Sequence, residues 1–447
     1  MPNQFITFWK LHKVSMLLVF LSLAFYYIFA YHLERTDFIK LLALFIALFF
    51  LCFKLVQFEK WNFKFLLVVG ILFRLVFLLA EPNLSQDFYR FIWDGELVKN
   101  LINPYLSVPN TLIEQSDLVI ANAHELYNGM GSLSARHYSN YPPLNQLIFA
   151  LASVLGGKNI IGSIIVMRGS IILADVGILY FGRKLLKNIN QSPHLIFWYF
   201  LNPLIIIELT GNLHFEGVML FFFVWSLYLL SVHKWQWAAV IYACSISVKL
   251  VPLLFLPLFL KHFKFKKAIL FYVIIGGTSL LLFAPFYAPE FMTNYSKTIG
   301  LWFSNFEFNA GLYNGIKQIA IQFDAKPWEL IKTYGKITPI VTVLAVFLFT
   351  FFRKNEKLSV LLTSMLWVLT LYYFMSATVH PWYVIFLVVL TAFTKYRFAF
   401  IWSAAIVLSY YAYSLADFKE NLWLLALEYL TVFSFLIYEL IAYRNKT

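Results

Sequence analysis

Along this chain of 447 residues the apolar positions arrive in long blocks separated by short polar stretches. Many blocks approach the roughly 20 helical residues needed to cross a hydrocarbon core. The pattern predicts spans near 14–31, 38–56, 64–80, 160–182, 194–209, 216–232, 236–249, 250–260, 268–286, 337–352, 358–376, 382–394, 398–415 and 422–443. The expected fold is therefore all-α: a polytopic transmembrane helix bundle of about 13–15 spans, read as a single domain over 1–447. The first block follows Lys10 and Lys13 as a signal peptide would, but no small-residue cleavage site comes after it, so it is expected to stay as a helix. Residues 142–156 are apolar enough to span, yet counting them as a span would move the Arg183–Lys187 cluster to the opposite side. A helix along the outer interface, or a partial insertion, is expected there. No internal repeat of the kind seen in transporters is visible.

Composition supports this picture. The chain is 61% hydrophobic and 13% charged, whereas an ordinary globular domain is about a quarter charged. Its formal net charge of +13 does not point to nucleic acid, because the basic residues sit in short clusters between apolar blocks. Lys10/Lys13, Lys54/Lys60/Lys64, Arg183/Lys184/Lys187, Lys261/Lys264/Lys266/Lys267, Arg353/Lys354/Lys357, Lys395/Arg397 and Arg444/Lys446 fall on one side of the predicted bundle. That side is cytoplasmic by the positive-inside rule, facing anionic membrane lipid. The long polar stretches 81–141 and 287–336 then lie outside, in a cell membrane, and the first is expected to carry short interfacial helices. Cys52 and Cys244 both lie in apolar blocks, so no disulfide framework is expected.

Candidate chemistry concentrates in the first outer loop, in Ser85-Gln86-Asp87-Phe88-Tyr89-Arg90-Phe91-Ile92-Trp93-Asp94-Gly95. A helix over 87–99 places Asp87 and Asp94 on one face, with Arg90 one turn from Asp87 and able to pair with it. Asn103-Pro104-Tyr105 then stops the helix. An ionised carboxylate here can act as a general base toward an acceptor hydroxyl, or simply face water on an interfacial helix; spacing alone leaves both open.

The stretch SQDFYRFIWDG…NPY, then YPPL at 141–144, NPLIIIELTGNLHFEG at 202–217, SVKLVPLLFLP at 247–257 and HPWY at 380–383 occur in that order. Together they resemble the C-type (GT-C) glycosyltransferases, membrane enzymes that use polyprenyl-phosphate sugars, and among them the bacterial polyprenyl-phosphomannose-dependent mannosyltransferases. The motifs run from 85 to 383, leaving the first two and last two helices without a counterpart. The resemblance implies a GT-C-like bundle with Asp87 at the position of the base that deprotonates the acceptor hydroxyl. It also implies a donor polyprenyl-phosphate hexose (mannose foremost), and a glycan or lipid-linked acceptor. Relatives carry two adjacent acids at this point; Gln86-Asp87 offers one, so no metal is expected. His214 and Glu216 match a His and an Asp of the family's outer turn, and Tyr141 lies in the matching YPPL.

The remaining candidates have plainer readings beside them. Asn212, His214 and Glu216 form a polar turn that either binds donor phosphate or sugar hydroxyls, with the histidine's charge tuned near neutral pH, or merely sits at the interface. Lys249 between apolar blocks either neutralises the donor's phosphate or snorkels to headgroups. His380 and Tyr383 stack on sugar or donor, or belong to an aromatic belt. Arg90 and Asp94 are included as substrate-binding. Arg168 and Asp175 share a helix face and are expected to pair structurally, with each other or with Arg74 or Glu208, as are Glu428 and Glu439. With no P-loop and no dinucleotide glycine motif, no cofactor is expected. The leading expectation is glycosyl transfer at the outer leaflet. A transporter or lipid-linked glycan flippase is the alternative, and a glycan ligase or polymerase shares the same topology.

Overall fold

The computed structural model describes residues 2–304, 306–415 and 417–444, without the side chains of 2–8, 10 and 302–304. Lys446 and the Lys10 side chain, both part of the basic pattern, lie outside the described residues. The described chain is helical throughout, with one isolated parallel bridge, Phe308 to Thr378, and no strand.

The order begins α1 (Pro2–His32), α2 (Phe38–Glu59), α3 (Phe63–Leu75), α4 (Asp87–Lys99), α5 (Pro109–Leu112), α6 (Ala123–Ala135), α7 (Pro143–Leu155) and α8 (Ile160–Asn188). Local sequence explains the starts. The side chains of Asp37, Asn62 and Asn159 accept hydrogen bonds from Lys40 N (3.1 Å), Phe65 N (3.3 Å) and Gly162 N (3.2 Å), capping α2, α3 and α8. Pro143 opens α7 where its missing N–H costs nothing. α4 stops at Lys99, four residues before the predicted Asn103-Pro104 break, because Leu101 turns left-handed at φ 61°.

After α8 the expected span 194–209 is broken. Pro193–Phe200, which contains α9 (Phe197–Phe200), meets Pro203–Gly211, which contains α10 (Pro203–Ile205), at a bend of 51°. The cause is Asn202-Pro203. Proline removes a backbone donor and pushes the preceding residue out of helix, while Asn202 Oδ1 accepts from Leu204 N (3.0 Å) to restart the turn. The restarted segment ends in π-turn geometry over Ile206–Gly211. α11 (Glu216–Ser231) and α12 (Trp235–Val248) then pack side by side, with α8 against α11 and α4 against α7.

Among the described residues seven helices are long and apolar enough to cross a membrane, eight if the bent pair counts as one crossing. Six more apolar helices of 10–17 residues include α7, α11 and α12. The chain is a multi-pass membrane protein. Of the expected spans, α3 is cut short at Leu75 and Pro252 with Pro257 turns 250–260 into 3-10 geometry over Val251–Leu258. α7, over 142–156, has 13 residues, about two-thirds of a crossing at 1.5 Å per residue. Within the second polar stretch a helix already begins at Pro327 and runs on through the expected span to Phe352.

Each of the charged groups expected to pair inside the bundle has at least one hydrogen-bond partner there. Arg74 Nε donates to Asp175 Oδ2 (2.8 Å), and Tyr199 donates to Asp175 Oδ1 (2.7 Å). Arg168 therefore does not pair with Asp175; it donates to the carbonyls of Thr210 (2.7 Å), Gly211 (3.1 Å) and Leu78 (3.0 Å), pinning the bent segment to the end of α3. Glu428 accepts from Trp402 Nε1 (2.8 Å) and Asn309 Nδ2 (3.0 Å). Glu439 accepts from Arg397 N (2.8 Å) and Phe398 N (3.0 Å), capping the helix Phe398–Ala405 from outside it.

Candidate active site

α4 carries two aspartates in opposite states. Asp94 is fully buried and saturated: Arg90 Nε donates to Oδ1 (2.7 Å), and Ser139 Oγ (2.6 Å) and Gln146 Nε2 (3.2 Å) donate to Oδ2. Arg90 pairs with Asp94 rather than with Asp87, and its other arm donates to the carbonyls of Ser134 (2.7 Å) and His137 (3.0 Å). Both i+3 and i+4 partners lie within reach on a helix, and Ser139 and Gln146 decide between them by drawing Asp94 inward. The pair thus ties the 134–146 segment to α4, with both Asp94 oxygens engaged inside the protein.

Asp87 opens α4, at the end where the helix dipole favours an anion. It is partly exposed, and among the described residues no side chain donates to its carboxylate. Burial raises its pKa above the usual carboxylate range; Lys249 pulls it back, Glu216 pushes it up again, and Arg35 lowers it. Those three charges bring together a turn after α1, the start of α11 and the end of α12.

The polar turn after the bent segment is built by Leu213 at φ 62°. Asn212 Oδ1 accepts from Leu84 N (3.2 Å), joining this turn to the approach to α4, and its Nδ2 reaches Glu208 Oε1 (3.3 Å). Glu208 also accepts from the Tyr410 hydroxyl. His214 Nε2 lies 3.2 Å from Glu208 Oε2 but at an angle that makes no hydrogen bond. Its ring stacks on Trp382 at 3.8 Å, and His380 stacks on Trp382 at 4.4 Å with planes 4° apart. His214 is buried and His380 is half-buried. Burial, then Lys249 and His380, hold His214 well below its ordinary pKa, and burial with Lys249 takes His380 down to about 3. The expected histidine tuned near neutrality is therefore a neutral imidazole at neutral pH, a hydrogen-bonding group without charge. Lys249 ends α12 in extended geometry and forms an ion pair with Glu216.

Tyr141 sits edge-on to Phe91 (5.0 Å) and Phe149 (5.6 Å), and its carbonyl accepts from the Tyr105 hydroxyl (2.6 Å). Its own hydroxyl is held well above the ordinary phenol value by burial and then by Asp87. Tyr383 packs against Tyr373 at 5.8 Å and edge-on to His380 at 5.4 Å. Among the described residues no three His, Cys, Asp or Glu side chains group at metal-ligating spacing.

The structure thus gathers Asp87, Asn212, His214, Glu216, Lys249, His380, Tyr141 and Tyr383 at one end of the bundle, and sets Arg90 and Asp94 behind them as scaffold. Sequence reasoning missed Arg35, Glu208 as a partner of the polar turn, and Trp382 as the ring on which both imidazoles stack. Trp382 was legible within HPWY; Arg35, in an ordinary polar turn, had no local signal.

The model of the family described as "alpha-(1->6)-mannopyranosyltransferase, N-terminal domain" matches residues 27–263, and that of "ALG3 protein" matches 212–316. Alpha-(1->6)-mannopyranosyltransferase A of Mycobacterium tuberculosis is 22% identical over 143 residues, 32% of this chain and 26% of the relative. Alpha-(1->6)-mannopyranosyltransferase B of Corynebacterium glutamicum is 25% identical over 146 residues, 32% of this chain and 23% of that protein. The A protein of Corynebacterium glutamicum is 20% identical over 182 residues, 40% of this chain and 34% of its own length. The chain therefore spans about a quarter to a third of the curated relatives it matches. Because the first family model takes in Arg35, both aspartates of α4, the polar turn and Lys249, more than half of the chain in all, the protein belongs to the alpha-(1->6)-mannopyranosyltransferase family.

Proposed function

We propose that this protein transfers a mannosyl residue from a polyprenyl-phosphate donor to a hydroxyl of a glycan or lipid-linked acceptor, on the extracytoplasmic face of the membrane. The whole chain acts as one transmembrane domain, with 81–141 as the outer catalytic loop and 287–336 as a second outer loop. The observation that carries the reading is the Asp87 carboxylate: unpartnered, partly exposed and raised in pKa beside Lys249 and Glu216. A group so placed can take a proton that a saturated carboxylate such as Asp94 cannot.

Asp87 accepts the proton of the acceptor hydroxyl as that oxygen bonds to the anomeric carbon. The bond from this carbon to the donor phosphate breaks, and the electron pair leaves with the polyprenyl phosphate. Positive charge developing on the sugar faces the carboxylates of Asp87 and Glu216, while the leaving phosphate faces the cations of the site. His214 and His380, both neutral, are available to hydrogen-bond hydroxyls without adding charge. Trp382 stacks with both imidazoles and so supports the two histidines.

The test uses purified protein, polyprenyl-phosphomannose and a mannoside acceptor, with mass spectrometry of both products. Hexose added to the acceptor with equal release of polyprenyl phosphate is expected. Movement of the labelled lipid across a bilayer without any transfer would replace this reading with the flippase.

A further inference from the structure

Two cations face Asp87, and only one is already neutralised. Lys249 is paired with Glu216, whereas Arg35 has no carboxylate within ion-pair distance among the described residues. Arg35 sits in the turn between α1 and α2. Asn83 fixes that turn to the approach to α4, donating to the carbonyls of Phe29 (2.8 Å) and Leu33 (3.3 Å). The guanidinium carbon lies 4.1 Å from the centroid of the Tyr413 ring, and Nε is buried without a hydrogen-bond partner. The charge of Arg35 reaches both Asp87 and Glu208.

An arginine in this state is preorganised. The aromatic plate holds the planar fork, so little rotamer freedom is left to lose on binding. A buried, unmade N–H is unfavourable until an acceptor reaches it. The partner that suits a guanidinium fork is a planar or tetrahedral oxyanion bound through two parallel hydrogen bonds. Beside Asp87 a mobile carboxylate would meet the charges of Asp87, Glu208 and Glu216, whereas a phosphate joined to a sugar and a lipid tail can place its oxygens at Arg35 and keep its uncharged sugar toward Asp87. We infer that Arg35, rather than Lys249, is the residue that binds the phosphate of the lipid-linked donor. This rests on the donor reading proposed above and assigns a residue to it. In that arrangement Lys249 serves mainly to offset Glu216 next to the base.

The chemistry recognised is a lipid phosphate, which also occurs on bilayer headgroups, so the test separates the two. Purified full-length protein in uncharged detergent is titrated with a long-chain polyprenyl phosphate, the same polyprenol without phosphate, and phosphatidylglycerol. Wild type is expected to prefer polyprenyl phosphate over polyprenol by about 10- to 150-fold, the range for a charged hydrogen bond. Arg35→Met should remove most of that preference while polyprenol affinity and the melting temperature without ligand stay put. Lys249→Met should keep the preference. Arg35→Gln repeats the measurement should Arg35→Met not be recovered folded. Full preference retained by both Arg35 variants overturns the assignment and leaves the donor reading intact. Phosphatidylglycerol competing as strongly as polyprenyl phosphate makes this a headgroup site and also overturns it. Wild type showing no preference at all is a failure of the donor reading itself.

Discussion

Asp87 and Asp94 stand two turns apart on α4, and their surroundings could hardly differ more. Asp94 has every oxygen engaged, by Arg90, Ser139 and Gln146, and no contact with solvent. Asp87 has no side-chain donor among the described residues, some exposure, and a raised pKa. The bundle interior repeats the first pattern in Asp175, whose two oxygens accept from Arg74 and Tyr199. In a chain this apolar, a carboxylate left unsatisfied is unfavourable, so the place where satisfaction stops is the place to look for chemistry. Hydrogen bonding, not sequence position, separates the scaffold aspartate from the one proposed as the base.

The largest expected effects break this comparison from its two ends. Asp87→Asn should lower turnover about 10²- to 10⁴-fold, the usual loss for a removed general base, with the melting temperature unchanged. Asp94→Ala should do the reverse. It leaves Arg90 buried without its counter-charge, and breaking such a pair costs about 3–5 kcal/mol. Thermal unfolding in detergent should show the loss, with turnover per folded molecule much less affected than in Asp87→Asn. Equal melting temperatures for Asp94→Ala and wild type would remove the scaffold half of the comparison.

A smaller effect concerns the pair beside the base. Lys249→Met leaves Glu216 uncompensated near Asp87, so the base is harder to ionise and turnover falls. Glu216→Gln in the same chain should restore part of it. A double-mutant cycle on turnover should give a coupling of about 0.5–3 kcal/mol, as for contacting residues; additive single effects would mean the two act separately.

The smallest effect is on stability against pH. His380 is held at about 3, down from an ordinary 6.5, so the unfolded chain binds its proton first as the solution is acidified. Stability from this group is complete above about pH 6.5 and declines as the pH falls toward 3. His214, also lowered, adds in the same direction. Melting temperature should therefore drop over that interval, and His380→Asn should flatten the dependence. A melting temperature that rises on acidification through this window would contradict the burial of neutral histidines.

Much of this was legible in the sequence, and the rest failed for identifiable reasons. Apolar block length and basic clustering predicted an all-helical membrane chain, and motif order picked out Asp87, the Asn212–Glu216 turn, Lys249 and His380. Pairing was harder. Arg90 stands within reach of acids on both sides, and the choice is made by Ser139 and Gln146, which arrive from a later segment. The Asn202-Pro203 break was visible as a dipeptide, yet hydropathy alone ran the span through it. Arg35 could not be found locally, because a turn between two apolar helices acquires meaning only when Asn83 folds it onto the start of α4. Lys249 looked like a free cation until Glu216, 33 residues earlier, was seen to hold it.

The central claim is that Asp87 takes the acceptor's proton, and the dependence of turnover on pH tests it most directly. For wild type with saturating polyprenyl-phosphomannose, activity should fall on acidification at a pH above that of a free aspartate, since burial raises Asp87. In Asp87→Asn the residual activity should lose that acid limb, while Asp94→Asn should retain it. An acid limb that persists unchanged in Asp87→Asn would assign the proton to another group and contradict the account.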